Sequence, residues 1–218
     1  MSAEARFDGG QGKMTTGALR IALAGNPNCG KTTVFNAYTG ARQHVGNYPG
    51  VTVDRKEGHV RHGNADITLV DLPGTYSLTA YSMEELVARA ELGSGDVQAV
   101  INVVDASALE RNLLLTVQMM EMGLPVVLVC NMMDEARKAG VHIDMERLSA
   151  MMGIPVVSAV ARTGEGLQQA LGEAVRLAGE DRHQVLELNY GADIDEGLRA
   201  MCAIINREGL LKKYAPHW

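Results

Sequence analysis

Cysteine is scarce in this chain: Cys29, Cys130 and Cys202 are the only three in 218 residues, widely spaced and without a C-x-x-C pair. That usage argues against a disulfide framework or a zinc site and suits a reducing cytoplasm. Histidines form no ligand-spaced cluster, and the neighbours His59 and His62 read as polar surface. No long basic run is present and the net charge is −6, which argues against nucleic acid as the main partner. Long apolar runs are also missing. The most apolar region, Leu113 to Cys130, is interrupted by Gln118, Glu121, Gly123 and Pro125, so it reads as a helix and a strand rather than a membrane span. The N-terminus lacks an apolar signal core, so secretion is not indicated.

What is present begins with Gly25-Asn26-Pro27-Asn28-Cys29-Gly30-Lys31-Thr32, followed by Thr33. This stretch fits G-x-x-x-x-G-K-[ST], a loop that cradles phosphates. Leu19 to Ala24 reads as a buried strand before it, and Thr33 to Tyr38 as the first turns of a helix after it. In that setting, backbone N–H groups at the helix start favour anions. Gly25 and Gly30 permit backbone angles and close approach that a side chain would obstruct. Lys31 can reach β- and γ-phosphates, and the Thr32 hydroxyl can hold Mg²⁺.

The order of elements predicts an α/β fold. Residues 1–17 are polar and glycine-rich and read as a flexible leader, native or added. Residues 18–178 read as one domain. Ala41 to Val53 reads as a loop. Arg55 to Arg61 and Ala65 to Asp71 read as an antiparallel hairpin joined at His62-Gly63-Asn64. The apolar runs at Val97–Val104, Pro125–Cys130 and Ile154–Val157 read as parallel strands, alternating with helices at Tyr81–Leu92, Leu109–Met122, Glu135–Ala139, Met145–Met152 and Gly166–Leu177. The expected architecture is a mainly parallel, doubly wound sheet with one antiparallel strand and helices on both faces. Met119, Met120 and Met122 are expected to fill core gaps. Residues 179–218 lose strand signals. Ile194 to Asn206 has helical periodicity and Gly209 to Tyr214 can start another helix, so this tail reads as part of a helical appendage.

Four further signals lie at the ends of strands. Asp71-Leu72-Pro73-Gly74 places a carboxylate where it can hold Mg²⁺ opposite Thr32, and Gly74 can offer its N–H to a γ-phosphate. In Asn131-Met132-Met133-Asp134, the Asp134 carboxylate can accept from guanine's ring N–H and exocyclic amine, a donor pair that adenine lacks. Asn131 is expected to tie this segment to the phosphate loop. Ser158, Ala159 and Val160 follow the last strand, where a backbone N–H can donate to the guanine carbonyl. Thr52 can coordinate Mg²⁺ when γ-phosphate is present and release it after hydrolysis. Together these predict a GTPase using GTP/GDP and Mg²⁺, by in-line attack of water on the γ-phosphate.

The chain resembles the N-terminal cytoplasmic domain of the FeoB family of bacterial ferrous iron transporters. The resemblance rests on Gly25 to Thr33, Val45 to Val53, Arg55 to Gly58, Leu69 to Leu78, Asn102 to Ser107, Leu109 to Leu113 and Asn131-Met132. It implies a Ras-like P-loop GTPase domain, then a helical domain that influences GDP release, then a membrane domain carrying Fe²⁺. The chain then reads as a fragment at the cytoplasmic face of the bacterial inner membrane. The implied partners are its own membrane domain and small cytoplasmic regulators of the same system. In related GTPases an asparagine at the position of Asn28 helps bind an activating K⁺; the resemblance assigns Asn28 that role, with the backbone of Gly46–Gly50 as co-ligand. Lys31, Asn28, Thr52 and Gly74 are then the catalytic set.

Two positions depart from the family pattern: Cys29, where serine is common, and Tyr48, where tryptophan is common. A thiol at a helix N-terminus can have a lowered pKa. Thr75 follows Gly74 where Ras-like enzymes carry a water-orienting glutamine, so turnover should be slow; Arg42 and Arg55 are weak candidates for a catalytic cation. Other readings are a GTP-operated binding switch without energetic drive, and a soluble ribosome-assembly GTPase.

Overall fold

The computed structural model describes residues 18–40, 42–180 and 190–208. The leader expected at 1–17 and the helix start expected at Gly209–Tyr214 lie outside the described residues. Seven strands form one sheet in the order β2-β3-β4-β1-β5-β6-β7. They are β1 (Leu19–Gly25), β2 (Gln43–Asn47), β3 (Asp54–His62), β4 (Ala65–Asp71), β5 (Ala99–Asp105), β6 (Val126–Asn131) and β7 (Val156–Ser158). β1 pairs in parallel with β4 and β5, and the parallel ladder continues through β6 to β7. β3 is antiparallel to both its neighbours, so it alone runs against the rest. This is the expected mixed sheet.

The helices are α1 (Lys31–Thr39), α2 (Met83–Leu92), α3 (Leu109–Glu121), α4 (Met133–Lys138), α5 (Met145–Met152), α6 (Leu167–Ala178) and α7 (Ala192–Glu208). Because side chains alternate across a strand, β1 sends Ile21 and Leu23 to one face and Ala22 and Ala24 to the other. The first face packs with Val34 and Phe35 of α1 and Leu171 and Ala174 of α6. The second packs with Ala88 and Leu92 of α2 and Leu115 and Met119 of α3. Met119, Met120 and Met122 are buried in that second layer as expected. Strands covered on both faces read as continuous apolar runs, which is why β5 and β6 were legible.

β2 corrects the expectation of a loop across 41–53. All five of its residues are exposed, so no apolar alternation marks it. It exists because its backbone extends the sheet edge in register with β3, from Gln43 opposite Gly58 to Asn47 opposite Asp54.

The segment after β4 is held by one carboxylate. Glu85 accepts from the Ser77 hydroxyl at 2.8 Å and the Tyr81 N–H at 2.9 Å, and completes a capping box with Ser82 at the start of α2. The Ser77 hydroxyl bond, together with the N–H groups of Tyr81 and Ser82, holds the Glu85 carboxyl below its ordinary pKa. Leu78 is buried beside it, and its N–H donates to Gln118 of α3 at 2.8 Å.

Candidate functional site

The phosphate loop is the turn from β1 into α1. A Cβ on Gly25 would lie 2.5 Å from the Val103 carbonyl oxygen and 2.8 Å from the Cys29 sulfur, so the loop admits only glycine there. Gly30 caps α1 with φ of 85°. Asn28 also adopts positive φ, 66°, which asparagine tolerates better than most residues, and its side chain is exposed. Asn26 is 2% exposed and neither of its amide atoms has a partner among the described residues. The Thr75 N–H donates to the Gly25 carbonyl at 3.3 Å and the Leu72 N–H to Leu23 at 3.0 Å, which clamps the Asp71–Gly74 turn against the loop.

Lys31, Thr32, Thr52 and Asp71 line one cleft of about 450 Å³, together with Pro73. Thus residues expected to meet around a metal and terminal phosphate do share a space. Asp71 is 7% exposed, and its carboxylate pairs with the Lys31 ammonium. Thr52 reaches the cleft from the turn between β2 and β3. That turn is closed by the Tyr48 N–H donating to Val53 at 3.0 Å and the Val51 N–H to Tyr48 at 3.3 Å, with Gly50 at φ 77°. Two hydroxyls and a carboxylate form an all-oxygen donor set, the kind a hard divalent cation takes. A Cβ on Gly74 would make only ordinary contact with Pro27 at 3.5 Å; the fold itself does not demand glycine there. Thr75 is buried and offers no long polar side chain to the cleft.

A second, smaller pocket of about 190 Å³ opens beside the loop, lined by Gly30, Thr33, Asn131, Met132, Asp134 and Val160–Arg162, among others. Asn131 is 2% exposed. Its Nδ2 donates to the Cys29 carbonyl at 2.9 Å, and its Oδ1 accepts from the Ala161 N–H at 2.9 Å. The expected tie to the phosphate loop is therefore present, and it is double-ended. Met132 turns the chain at φ 60° into α4. The Asp134 carboxylate faces this pocket and pairs with Arg162 at 3.0 Å.

The structure shifts one expectation. Ser158 is the last residue of β7, and the Ala159 N–H is already spent in the ladder, donating to Cys130 at 2.8 Å. Val160, Ala161 and Arg162 line the pocket instead. Ala161 and Arg162 were missed because Ser158 reads as the break after the strand, whereas burial continues beyond it through Ala161. The signal available was the turn behind it: Gly164 and Gly166 both have positive φ.

The thiol of Cys29 also differs from its expectation. It is 1% exposed, and burial pushes its pKa up to about 11, outweighing the lowering by the Lys31 backbone N–H and charge. Its position at a helix start does not activate it. Arg55 is likewise engaged elsewhere: its Nη2 donates to Glu57 at 2.7 Å and its guanidinium lies 5.7 Å from the Tyr48 ring centroid. Tyr48 is 7% exposed. No group of three His, Cys, Asp or Glu side chains suited to a metal occurs among the described residues, and none of their helices is long and apolar enough to cross a membrane.

A family profile described as ferrous iron transport protein B matches residues 19–174. The chain belongs to that family. A fusion of Fe(2+) transport protein A and the Fe(2+) transporter FeoB from Porphyromonas gingivalis is 50% identical over 194 residues, covering 87% of this chain and 23% of that protein. The Fe(2+) transporter FeoB of Salmonella typhimurium is 53% identical over 169 residues, covering 76% and 21%. The chain thus spans between a fifth and a quarter of these curated relatives.

Among solved structures, the apo cytosolic domain of T. maritima FeoB superposes with a TM-score of 0.86 at 39% identity, covering 92% of this chain and 79% of that one. Its GMPPNP form gives 0.86 at 39%, covering 91% and 78%. A GDP-bound variant of the S. thermophilus FeoB G-domain gives 0.80 at 41%, covering 86% and 72%. The fold is therefore that of the FeoB GTPase domain.

Proposed function

We propose that the chain binds GTP with Mg²⁺, hydrolyses it slowly, and acts as a cytoplasmic G domain regulating Fe²⁺ uptake through an attached membrane domain. The observation that carries the reading is the shared cleft of Lys31, Thr32, Thr52 and Asp71, linked by Asn131 to the pocket of Asp134. The FeoB relatives and their GDP- and GMPPNP-bound domains support it.

In this reading the base enters beside Asp134, which accepts from its ring N–H and amine. Arg162, 76% exposed on its side chain, moves aside at little cost. The backbone of Val160–Arg162 takes the place assigned to Ser158–Ala159 as neighbour of the base carbonyl. Phosphates lie along the N–H groups of Gly25–Thr33. Their arrival would part the Lys31–Asp71 pair, freeing the ammonium for the phosphates and the carboxylate for a metal. Thr32, Thr52 and Asp71 would hold Mg²⁺, which when bound supplies positive charge against the terminal phosphates. Asn28, exposed on its turn, is the side chain that would hold K⁺, which when bound adds charge where other GTPases use an arginine. Gly74, packed against Pro27 of the loop, would offer its N–H to the terminal phosphate.

Water attacks the γ-phosphorus in line, and GDP leaves. Because Thr75 provides no water-orienting amide, turnover without K⁺ sits near the scale of unassisted Ras, roughly 4 × 10⁻⁴ s⁻¹. The same feature favours a second reading, in which GTP sets a conformation and hydrolysis merely resets it.

The test is turnover of GTP in KCl and in NaCl for the wild-type chain and Asn28→Ala. Faster turnover in KCl, lost in the variant, is expected. Absence of GTP turnover in either salt, despite bound nucleotide, would remove the enzymatic reading. The helical segment from 179 onward is proposed as the beginning of the domain that tunes GDP release.

A further inference from the structure

β3 presents opposite functions on its two faces. Arg55 and Glu57 share one face in a network with Arg20, which also binds Glu91. Gly58 sits on the other face, where a Cβ would collide with Thr39 of α1. Alternation puts Lys56 on this α1 face with Gly58. Lys56 lines the same cleft as Lys31, Thr32, Thr52 and Asp71. Its backbone lies opposite Asp71 in the β3–β4 ladder. The residue is half-buried, and it forms no ion pair among the described residues. Asp54 and Glu84 share the cleft without pairing with it.

Directly opposite residues of a ladder share a face, so Lys56 stands beside Asp71, whose carboxylate pairs with Lys31 and leaves Lys56 without an ion pair of its own among the described residues. Here it stands among groups suited to phosphate and metal. We propose that Lys56 is a second cationic ligand of this cleft, contacting the terminal phosphate of the bound triphosphate. The inference rests on the guanine-nucleotide reading above. A triphosphate carries more negative charge than a diphosphate, so a second cation in the cleft distinguishes the two. Lys56 follows Thr52 by four positions on the same turn and strand. Its contact and that of Thr52 therefore form together, and the terminal phosphate pins the β2–β3 turn at two points.

The experiment measures the affinity of the full chain for GDP and for a non-hydrolysable GTP analogue, with Mg²⁺, in the wild type, Lys56→Met and Lys56→Arg. In Lys56→Met the analogue should bind about tenfold more weakly, the scale of one charge-assisted contact, while GDP changes by less than about twofold. Lys56→Arg should recover most of the loss, and thermal midpoints should match the wild type. Equal loss for both nucleotides, no loss for either, or failure of arginine to rescue would overturn the role of Lys56. A wild-type chain that binds neither nucleotide would overturn the underlying reading instead.

Discussion

Replacing Asn131 with alanine tests the joint between the two halves of the site. Its amide is buried and joins the Cys29 carbonyl of the phosphate loop to the Ala161 N–H of the loop after β7, each at 2.9 Å. Alanine removes both partners at once and leaves a carbonyl and an N–H without water. Each stranded group costs about 1–3 kcal/mol, so the expected destabilisation is about 2–6 kcal/mol. Against a total stability on the order of 5–15 kcal/mol, that is a large share.

For a domain of this size about 1 kcal/mol moves the thermal midpoint by roughly 2–4 °C, giving a drop centred near ~10 °C. Urea and thermal unfolding without nucleotide read this directly, and GDP titration reads the consequence for binding, expected to weaken at least about tenfold. Asn131→Asp separates lost hydrogen bonds from lost volume. It keeps the size but sets a carboxylate oxygen against the Cys29 carbonyl, so it should destabilise at least as much as alanine. A midpoint shift below about 2 °C in Asn131→Ala, with GDP affinity intact, would refute the reasoning.

Asp134→Asn replaces one carboxylate acceptor with an amide N–H donor facing the guanine donors and should weaken GTP and GDP at least about a hundredfold by calorimetry; unchanged affinity would sink the assignment of the base pocket. Thr52 is exposed, so Thr52→Ala should leave unfolding within about 0.5 kcal/mol of wild type and spare GDP affinity. It should slow Mg²⁺-dependent turnover about tenfold or more, and equal turnover would count against its metal role. With its pKa pushed up to about 11, Cys29 should alkylate slowly at neutral pH and about tenfold faster for each unit by which pH rises toward that value, since only the thiolate reacts. Fast labelling at pH 7 would contradict the buried thiol, as would labelling of Cys29 ahead of Cys202.

The sequence announced those parts of the fold whose cause is local. Gly25 is required by the Cys29 side chain four residues on and by the neighbouring β5 backbone, and Gly30 by its positive φ, so the loop pattern carries most of its own geometry; the Asn131 amide that also crowds Gly30 is brought there only by the fold. Asp71 and Asn131 end strands whose apolar runs are unmistakable, and their placement followed. β2 was invisible because its residues bury nothing and its pairing is purely main-chain. The shift from Ser158–Ala159 to Val160–Arg162 was invisible for the opposite reason: burial continues past the strand end through Ala161, so hydropathy does not mark where the ladder stops. Cys29 shows a third limit. Proximity to a helix start is a sequence property, but the desolvation that outweighs it depends on tertiary packing around the thiol. Lys56 escaped notice because its significance lies in a missing partner, and pairing is settled only when the strands are aligned.

The Glu85 carboxylate has a mechanical consequence. It gathers Ser77, Tyr81 and Ser82 onto the first turn of α2, while Leu78 is anchored to Gln118. Residues 77–85 therefore behave as part of the helix rather than as slack. Any displacement that starts at Gly74 has only Thr75 and Tyr76 in which to be absorbed before it meets this brace. Beyond them it is delivered whole to α2 and to the face of α3 beneath it, so the short stretch behaves as a pivot and the helix as its lever arm.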